Sequence, residues 1–293
     1  MEPRSARWTN SRGPVDAALP AAYFTPGASS FTDFVAAAAP HLLPGRIPPG
    51  LTRELPGAGL EIVHGTTIVA ATYDGGVLIA GDRRATMGNM IAQRDIEKVV
   101  ITDNYSAIGI AGAAGMGVEM ARLYTVDLEH YEKIEGVPLS LDGKVNKLAG
   151  MVRANLGAAL QGFAVLPLFA GYDPDAADPA RGGRIVSFDV TGSKADEPVG
   201  YHAIGSGSLF ARSALKKRHD PTADADTTIR VALEALYDAA DDDTATGGPD
   251  LTRKIFPMVV TIDAAEGAVR RSDSEVGEVI SLVVADRLER PGG

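Results

Sequence analysis

The glycine–threonine pair Gly65-Thr66 is the feature of the sequence with the clearest chemical potential. A threonine hydroxyl becomes a useful nucleophile only when a base lies beside it. If the bond between the two residues were cut, Thr66 would gain an α-amine of pKa ~8, which can act as that base near neutral pH. Glycine is the neighbour that least obstructs attack of the hydroxyl on the preceding carbonyl. The pair is also an ordinary beginning for a β-strand, so it does not decide the function alone.

A carboxylate and a lysine follow at spacings that could bring them to Thr66. The turn residues Asp74-Gly75-Gly76 predict a hairpin, which places the returning strand beside Thr66 at about positions 83 to 85, or at Asp82 after a small register slip. Lys98 opens a later strand. A lysine lowers the pKa of a neighbouring hydroxyl, and an aspartate keeps that lysine charged and oriented. Surface ion pairs would explain the same charges, so this grouping favours the hypothesis without deciding it.

Other reaction chemistries lack their residues in this chain. There is no cysteine, which excludes disulfides, thiolate metal sites and a cysteine nucleophile. Neither a G-x-S-x-G turn nor a phosphate-binding G-x-x-x-x-G-K-[ST] loop occurs. The five histidines show no metal-ligand spacing, so we expect neither a metal nor another cofactor. The segment 112–117 departs from the dinucleotide fingerprint and instead predicts a tight turn, whose backbone N–H groups could bind an oxyanion.

The elements that must position these residues come in blocks of one type. Strand patterns cover 66–72, 77–80, 98–101 and 105–111, and helical patterns follow over 116–131, ending at Gly136, and 145–160, ending at Gly162. Later strand patterns cover 165–170, 185–190, 202–204 and 256–262, and later helical patterns cover 209–218, 227–240 and 276–288, the last with Leu288 on its apolar side. Runs of strands followed by runs of helices predict antiparallel sheets with helices outside, an α+β fold.

The first 65 residues differ in composition from the rest. They hold 9 of the 18 prolines and five acidic and five basic residues, so the whole net charge of −10 belongs to the remaining 228. Proline at this density opposes helices and central strands. One short helix is predicted over 34–39, and Phe31 and Phe34 could dock on a folded body, although such composition is also typical of a disordered tail. We predict a leader of residues 1–65 followed by one domain, 66–293.

Charge and hydropathy exclude two classes of partner. The 28 basic and 38 acidic residues among 293 disfavour binding to duplex nucleic acid or to an anionic membrane. No apolar run approaches the ~20 residues of a membrane-spanning helix. The apolar stretch 34–39 is shorter than the core of a signal peptide. We therefore expect a soluble, cytoplasmic protein.

Six short motifs, in order and at compatible spacing, resemble those of proteasome β subunits. They are Gly65-Thr-Thr-Ile-Val-Ala70, Gly81-Asp-Arg-Arg84, Lys98, Gly109-Ile-Ala-Gly112, Gly205-Ser-Gly-Ser208 and Asp243-Thr-Ala-Thr-Gly-Gly248. The stretches 29–34 and 237–243 are similar to the actinobacterial form in particular. The resemblance implies the fold of N-terminal-nucleophile hydrolases, a four-layer αββα sandwich with two antiparallel sheets between helical layers.

The resemblance further implies a threonine endopeptidase made as an inactive precursor. Thr66 matches the nucleophile, which is exposed when the propeptide, residues 1–65, cleaves itself off after Gly65. Asp82 and Lys98 match the acid and the lysine that tune this nucleophile.

Four more positions match functional residues of the family. Ser206 and Asp243 match the pair that orders the α-amine and its water, and Thr246 stands where many members have serine. The exchange keeps a hydroxyl, so we expect little effect. The backbone N–H of Gly112 matches the oxyanion-hole donor, which agrees with the tight turn inferred above.

The positions that match the primary substrate pocket are all uncharged and apolar. They are Ala85, Ile96, Val100, Ile110 and Ala114. We predict cleavage after apolar or aromatic residues with weak selectivity, because each methylene in such a pocket discriminates by only ~1–3 kcal/mol.

The resemblance implies assembly as well as chemistry. Proteasome β subunits form seven-membered inner rings of a barrel capped by rings of α subunits, with active sites facing a closed chamber. An ATPase ring and tagged protein substrates are expected by analogy. Two alternatives stay open, a non-catalytic ring subunit and another N-terminal-nucleophile hydrolase that acts on a small amide. The presence of Thr66, Asp82 and Lys98 together counts against the first alternative, and the leader with Ser206 and Asp243 counts against the second.

Overall fold

The computed structural model describes residues 65–87 and 90–290. The predicted short helix at 34–39 and the proposed docking of Phe31 and Phe34 lie outside the described residues. Twelve strands occur in the described part of the chain: β1 (Thr67–Tyr73), β2 (Gly76–Gly81), β3 (Ala85–Met87), β4 (Met90–Gln93), β5 (Val99–Asp103), β6 (Ser106–Gly112), β7 (Val165–Tyr172), β8 (Gly183–Phe188), β9 (Lys194–Asp196), β10 (Tyr201–Gly205), β11 (Met258–Asp263) and β12 (Gly267–Arg270).

The same ranges contain six helices. They are α1 (Ala114–Glu135), α2 (Leu141–Ala154), the short α3 (Leu156–Ala159), α4 (Ser208–Arg218), α5 (Ala225–Asp242) and α6 (Asp273–Glu289). No helix in the described part of the chain is both long enough and apolar enough to cross a bilayer.

The first sheet has the strand order β10-β1-β2-β11-β12, with every pair antiparallel. The turn Asp74-Gly75 joins β1 to β2, and Gly75 takes the positive φ of 81° that a tight hairpin turn needs. Ile68 lies opposite Gly81 in this register. Two further steps along the register bring Thr66 opposite position 83, within the predicted range. The short turn therefore carries the end of β2 back to the beginning of β1.

The second sheet has the order β5-β6-β7-β8-β9 and packs face to face on the first. Ile68 and Ala70 of β1 enter the core between the sheets, while Val69 and Ala71 of the same strand enter the core beneath the helices. Successive side chains of a strand point to opposite faces, so β1 is buried on both. This is why its sequence is an almost continuous apolar run rather than an alternating one.

Helices cover both outer faces. Helices α4, α5 and α6 share an apolar cluster with β1 and β2, and α1 and α2 share another with β6, β7 and β8. The result is helices, sheet, sheet, helices, which confirms the predicted four-layer αββα sandwich. The beginnings of β1 and β5 and the ends of β2 and β10 meet at one edge of this sandwich, and that edge carries the candidate site.

Three details differ from the sequence prediction. The helix predicted over 145–160 is interrupted, because α2 ends at Ala154 and Asn155 donates its side-chain amide to the carbonyl of Phe163, 3.3 Å away. Strands β3, β4, β9 and β12 were not predicted, since each has only three or four residues, too few to show an alternating pattern. Leu288, expected on the apolar side of the last helix, is 80% exposed.

Candidate active site

Thr66 lies immediately before β1 and is buried, with 5% of its surface exposed. Its Oγ1 donates to the carbonyl oxygen of Gly65 at 2.5 Å, so the hydroxyl already touches the peptide bond that it would attack. A Cβ at position 65 would lie 2.4 Å from the carbonyl oxygen of Ala245 and 2.5 Å from the hydroxyl of Thr86. The close packing therefore explains why glycine, and no larger residue, precedes the threonine.

Lys98, which follows Thr66 in the chain, binds the same carbonyl oxygen. Its Nζ donates to the Gly65 oxygen at 3.0 Å and to Asp82 Oδ1 at 2.8 Å. Both charged side chains are almost completely buried. Burial lowers the pKa of the Lys98 ammonium below its ordinary value of 10.5, and the Asp82 carboxylate opposes only part of that shift. The ammonium is thus placed where negative charge would develop on the Gly65 oxygen.

Asp82 is held by backbone as well as by lysine. Its Oδ1 also accepts the N–H of Thr67 at 2.8 Å, and its Oδ2 accepts the N–H groups of Arg84 and Gly247, both at 2.9 Å. Three backbone donors and one ammonium satisfy the carboxylate without water, which offsets the cost of burying its charge. The carboxylate consequently has a single orientation, and it fixes that of Lys98.

A second polar network lies on the amine side of Thr66. Asp243 Oδ2 accepts the hydroxyls of Ser206 at 2.5 Å and Thr246 at 2.6 Å, and the Thr67 hydroxyl lies 2.6 Å from that of Thr246. The Thr246 proton is committed to Asp243, so the Thr246 oxygen accepts from Thr67. By the same reasoning the Ser206 oxygen is an acceptor for the Thr66 nitrogen, 3.5 Å away.

The negative charge of Asp243 sets the direction of the hydrogen bonds in that network. Burial raises the pKa of the Asp243 carboxyl, but the hydrogen bonds from Ser206 and Thr246 outweigh burial and leave the pKa below its ordinary value. An ionised carboxylate only accepts hydrogen bonds, so both hydroxyls must point their protons towards it. An α-amine at Thr66 would therefore meet a hydroxyl oxygen rather than a competing donor.

A cavity of about 570 Å³ opens beside Thr66. Its wall includes Gly65, Thr66, Lys98 and Gly112, together with all five residues that the sequence assigned to a substrate pocket, which are Ala85, Ile96, Val100, Ile110 and Ala114. Gly112 ends β6 with a φ of +102°, and a Cβ there would lie 2.2 Å from the carbonyl oxygen of Ala164. The turn between β6 and α1 therefore requires glycine at the cavity wall.

The structure brings together every residue that the sequence singled out for the site, and it adds others. Thr67 and the backbone N–H of Gly247 were not predicted, although each lies within a quoted motif. The face of α1 was not predicted either; beyond Ala114 it lines the cavity with Val118, Ala121, Arg122, Thr125 and Val126. Their three- and four-residue spacing on one helix was the available signal. In residues 65–87 and 90–290, no group of three or more histidine and carboxylate side chains could hold a metal ion.

Comparisons with known proteins agree with this architecture. A family model described as "Proteasome subunit" matches residues 62–250. A protein named proteasome subunit beta from Saccharopolyspora erythraea is 63% identical over 276 residues, which cover 94% of this chain and 95% of the relative. The corresponding protein of Saccharomonospora viridis is 64% identical over 277 residues, with 94% and 96% covered. A proteasome subunit beta 1 from Rhodococcus erythropolis is 60% identical over 269 residues, with 90% and 91% covered. As its motifs predicted, the chain belongs to the proteasome family, among the β subunits of actinobacterial type.

Proposed function

We propose that the chain is a catalytic β subunit of a proteasome core particle and that Thr66 is its nucleophile. The observation that carries this proposal is the meeting of the Thr66 hydroxyl, the Gly65 carbonyl and the Lys98 ammonium within 3.0 Å contacts in a buried site. An inert ring subunit would have no need for a buried lysine–aspartate pair aimed at this peptide bond. The substrate class, peptide bonds of unfolded proteins, follows from membership of the family.

Self-cleavage is the first reaction that the geometry supports. The Thr66 oxygen attacks the carbonyl carbon of Gly65 and gives its proton to water, while Lys98 stabilises the negative charge that develops on the Gly65 oxygen. Collapse of this intermediate breaks the Gly65–Thr66 C–N bond, leaving residues 1–65 as an ester on Thr66 and protonating its nitrogen. Water then hydrolyses the ester. The products are a leader ending in a carboxylate and a free α-amine on Thr66.

Peptide hydrolysis reuses the same groups. The neutral α-amine takes the proton of the Thr66 hydroxyl, whose oxygen attacks the carbonyl carbon of a bound peptide. Ser206 accepts a hydrogen bond from the amine and so orients it, Lys98 favours the developing alkoxide, and the N–H of Gly112 stabilises the oxyanion. The amine returns its proton to the leaving group. Water finally releases the acyl group and restores Thr66.

The intact mass of the purified, assembled protein tests the proposal directly. We expect the mature chain to lack residues 1–65 and its N-terminal sequence to begin Thr-Thr-Ile-Val, because only a free Thr66 carries both nucleophile and base. The same measurement should be paired with hydrolysis of a fluorogenic peptide. An assembled particle that hydrolyses peptides at full rate while it retains the leader would contradict the proposal.

The pH dependence of peptide hydrolysis should be bell-shaped. Activity is expected to rise with pH as the Thr66 α-amine, of pKa ~8, becomes neutral. It should fall again as Lys98 loses its proton, at a pH below 10.5 because burial lowers the pKa of this lysine. Asp243 should not produce the acid limb, since its pKa lies below 3.8.

We would measure kcat/KM from pH 5 to 10.5, with particle integrity checked by size-exclusion chromatography at each pH. A rate that is already constant at pH 5, or that is still undiminished at pH 10.5, would assign the profile to other groups.

The cavity wall predicts the residue after which the protein cleaves. Peptides with phenylalanine or leucine at the cleaved position should be preferred over those with arginine or glutamate, because the five pocket residues are apolar. The two acidic side chains elsewhere on the wall are already paired, Asp95 with Arg83 and Glu97 with Arg270. Ala114→Leu would fill part of the cavity, so kcat/KM for a phenylalanine peptide should fall by about tenfold or more relative to an alanine peptide. Glu119→Leu introduces the same side chain on the same helix outside the cavity, and it should leave this ratio unchanged. A panel that shows preference for arginine or glutamate would refute the assignment.

Assembly is also part of the proposal. Membership of the proteasome family supports association with α subunits, and we propose seven-membered β rings inside a barrel fed by an ATPase ring. Native mass spectrometry of the co-expressed α and β chains measures the ring stoichiometry. A β ring of any other size would contradict the proposed seven-membered ring.

A further inference from the structure

A small basic cavity adjoins the candidate active site but lies outside its substrate cleft. Its volume is about 170 Å³, and four arginines contribute to its wall, Arg83, Arg84, Arg94 and Arg253. Among the described residues, Asp250 is the single acidic side chain on that wall. Pockets that hold drug-sized ligands usually occupy roughly 300–1,000 Å³. The cavity is therefore of a size for a small ion rather than for a peptide.

Two of the four arginines already have carboxylate partners. Arg83 pairs with Asp95 and, at 3.6 Å, with Asp273. Arg253 pairs with Asp250 at 2.8 Å. Asp250, the single acidic residue of the wall, is thus already paired, and Arg84 and Arg94 remain without a carboxylate on the wall.

The remaining two arginines are not neutralised within the described residues. Arg84 Nη1 donates to the carbonyl oxygens of Thr244 at 3.3 Å and Thr246 at 3.1 Å, which orient the guanidinium without cancelling its charge. Arg94 makes no ion pair with any described residue. Two positive charges that share one small concave wall attract an anion.

Arg83, one of the four arginines of the wall, also has an unsatisfied buried donor. The Arg83 side chain is 10% exposed, and its Nε is completely buried with no hydrogen-bond acceptor among the described residues. A buried N–H without a partner costs about 1–3 kcal/mol, so such groups are normally satisfied by water or by a ligand. The Nε of Arg83 is therefore a donor without an acceptor close to the cavity wall.

From these observations we propose that the cavity is a binding site for a small oxyanion of the carboxylate or phosphate type. Planar guanidinium groups match the paired oxygens of both. The bound anion would connect Arg94, which follows β4, to Arg84, whose backbone N–H holds Asp82. It would thereby join the two ends of the hairpin formed by β3 and β4, next to the carbonyls of Thr244 and Thr246 that already hold the Arg84 guanidinium. The proposal concerns binding and does not depend on the reaction assigned to Thr66.

Ligand titrations of the assembled particle test it, with inorganic phosphate in one arm and acetate in the other. Ionic strength is held constant with chloride. We would follow the ³¹P line width of phosphate, the ¹³C line width of labelled acetate, and the melting temperature, which rises when a ligand binds the folded state. Arg94→Gln removes one exposed charge from the wall. Arg181→Gln is the matched control, because Arg181 is 88% exposed and lies in another part of the fold.

We expect saturable broadening and a higher melting temperature in the unmodified protein and in Arg181→Gln, with affinity at least about tenfold weaker in Arg94→Gln. Arg94→Lys should recover only part of the affinity, since it restores charge without the paired donors. Binding of phosphate alone would identify the phosphate-type ion as the ligand, and binding of acetate alone the carboxylate. Absence of saturable binding of both ions, or equal binding by Arg94→Gln and the control, would overturn the proposal.

Discussion

Thr66→Ala is expected to leave residues 1–65 attached to the chain and to reduce peptide hydrolysis by about 10⁴-fold or more. Removal of the nucleophile from a hydrolase leaves only the acceleration that binding and oxyanion stabilisation provide. The geometry makes both effects come from one atom, because Thr66 Oγ1 is the hydroxyl that touches the Gly65 carbonyl at 2.5 Å. Intact mass and fluorogenic-peptide hydrolysis measure the two effects separately.

Two controls make the Thr66 experiment decisive. Thr66→Ser keeps a hydroxyl, so it should still lose the leader and retain measurable peptide hydrolysis. Thr86→Ala removes a neighbouring buried hydroxyl that forms no hydrogen bond with Thr66 Oγ1, and its mature chain should still begin at Thr66. If Thr66→Ala loses its leader as fast as the unmodified protein, the nucleophile is another group. If peptide hydrolysis survives, the activity belongs to a different site.

Lys98→Met should slow both leader removal and peptide hydrolysis, because it removes one positive charge from the site. The ammonium is 3.0 Å from the oxygen on which negative charge develops during self-cleavage, and it lies beside the hydroxyl that attacks. Removal of such a preorganised donor typically costs a factor of 10²–10³ in rate. We therefore expect both leader removal and peptide hydrolysis to slow by at least about 10²-fold, as measured by time-resolved intact mass and by kcat.

The fold supplies a matched control for this substitution. Lys144 is as deeply buried as Lys98, and its Nζ pairs with Asp103 Oδ2 at 2.7 Å, against 2.8 Å for the pair of Lys98 and Asp82. Breaking either pair leaves a carboxylate without its cation, which typically costs about 3–5 kcal/mol of stability. Lys144→Met should thus lower the melting temperature comparably while leaving kcat nearly unchanged below it. Equal fractional losses of kcat in the two variants would assign Lys98 a structural role only.

The sequence predicted the fold class and the hairpin for identifiable reasons. The β-branched run after Thr66, the turn at Asp74-Gly75 and the return through β2 are local features, and local features determine hairpin register. That register placed positions 83 to 85 beside Thr66, and Asp82 only after a small slip. In the structure Asp82 reaches the neighbourhood of Thr66 by accepting the N–H of Thr67 at 2.8 Å. The hairpin β3–β4 was not predicted because its strands have only three and four residues, too few to show an alternating pattern. The interruption at Asn155 was missed because the apolar spacing continues past it.

The other residues of the site, unlike Asp82, could not be placed near Thr66 from a local sequence pattern. Ser206 and Asp243 were assigned by resemblance alone, whereas Lys98 was first singled out as the lysine that opens a later strand. The distances along the chain do not establish the proximity of any of the three to Thr66. Ser206 reaches Thr66 because β10 pairs antiparallel with β1, with Gly205 opposite Thr67. Lys98 reaches it because β5 begins where the two sheets face each other. Neither contact is encoded by a local pattern.

The sequence by itself therefore led to the proposed type of chemistry, a hydroxyl and an α-amine on the single residue Thr66, and to the antiparallel framework that carries it. Only the tertiary structure decided how the charges are arranged. It brought the backbone N–H groups of Thr67, Arg84 and Gly247 onto one carboxylate, directed two hydroxyls to Asp243, and gathered four arginines around a separate cavity. The physical reason is that strand pairing and turns depend on neighbours along the chain, whereas burial and electrostatics depend on groups that meet only after the sheets have packed.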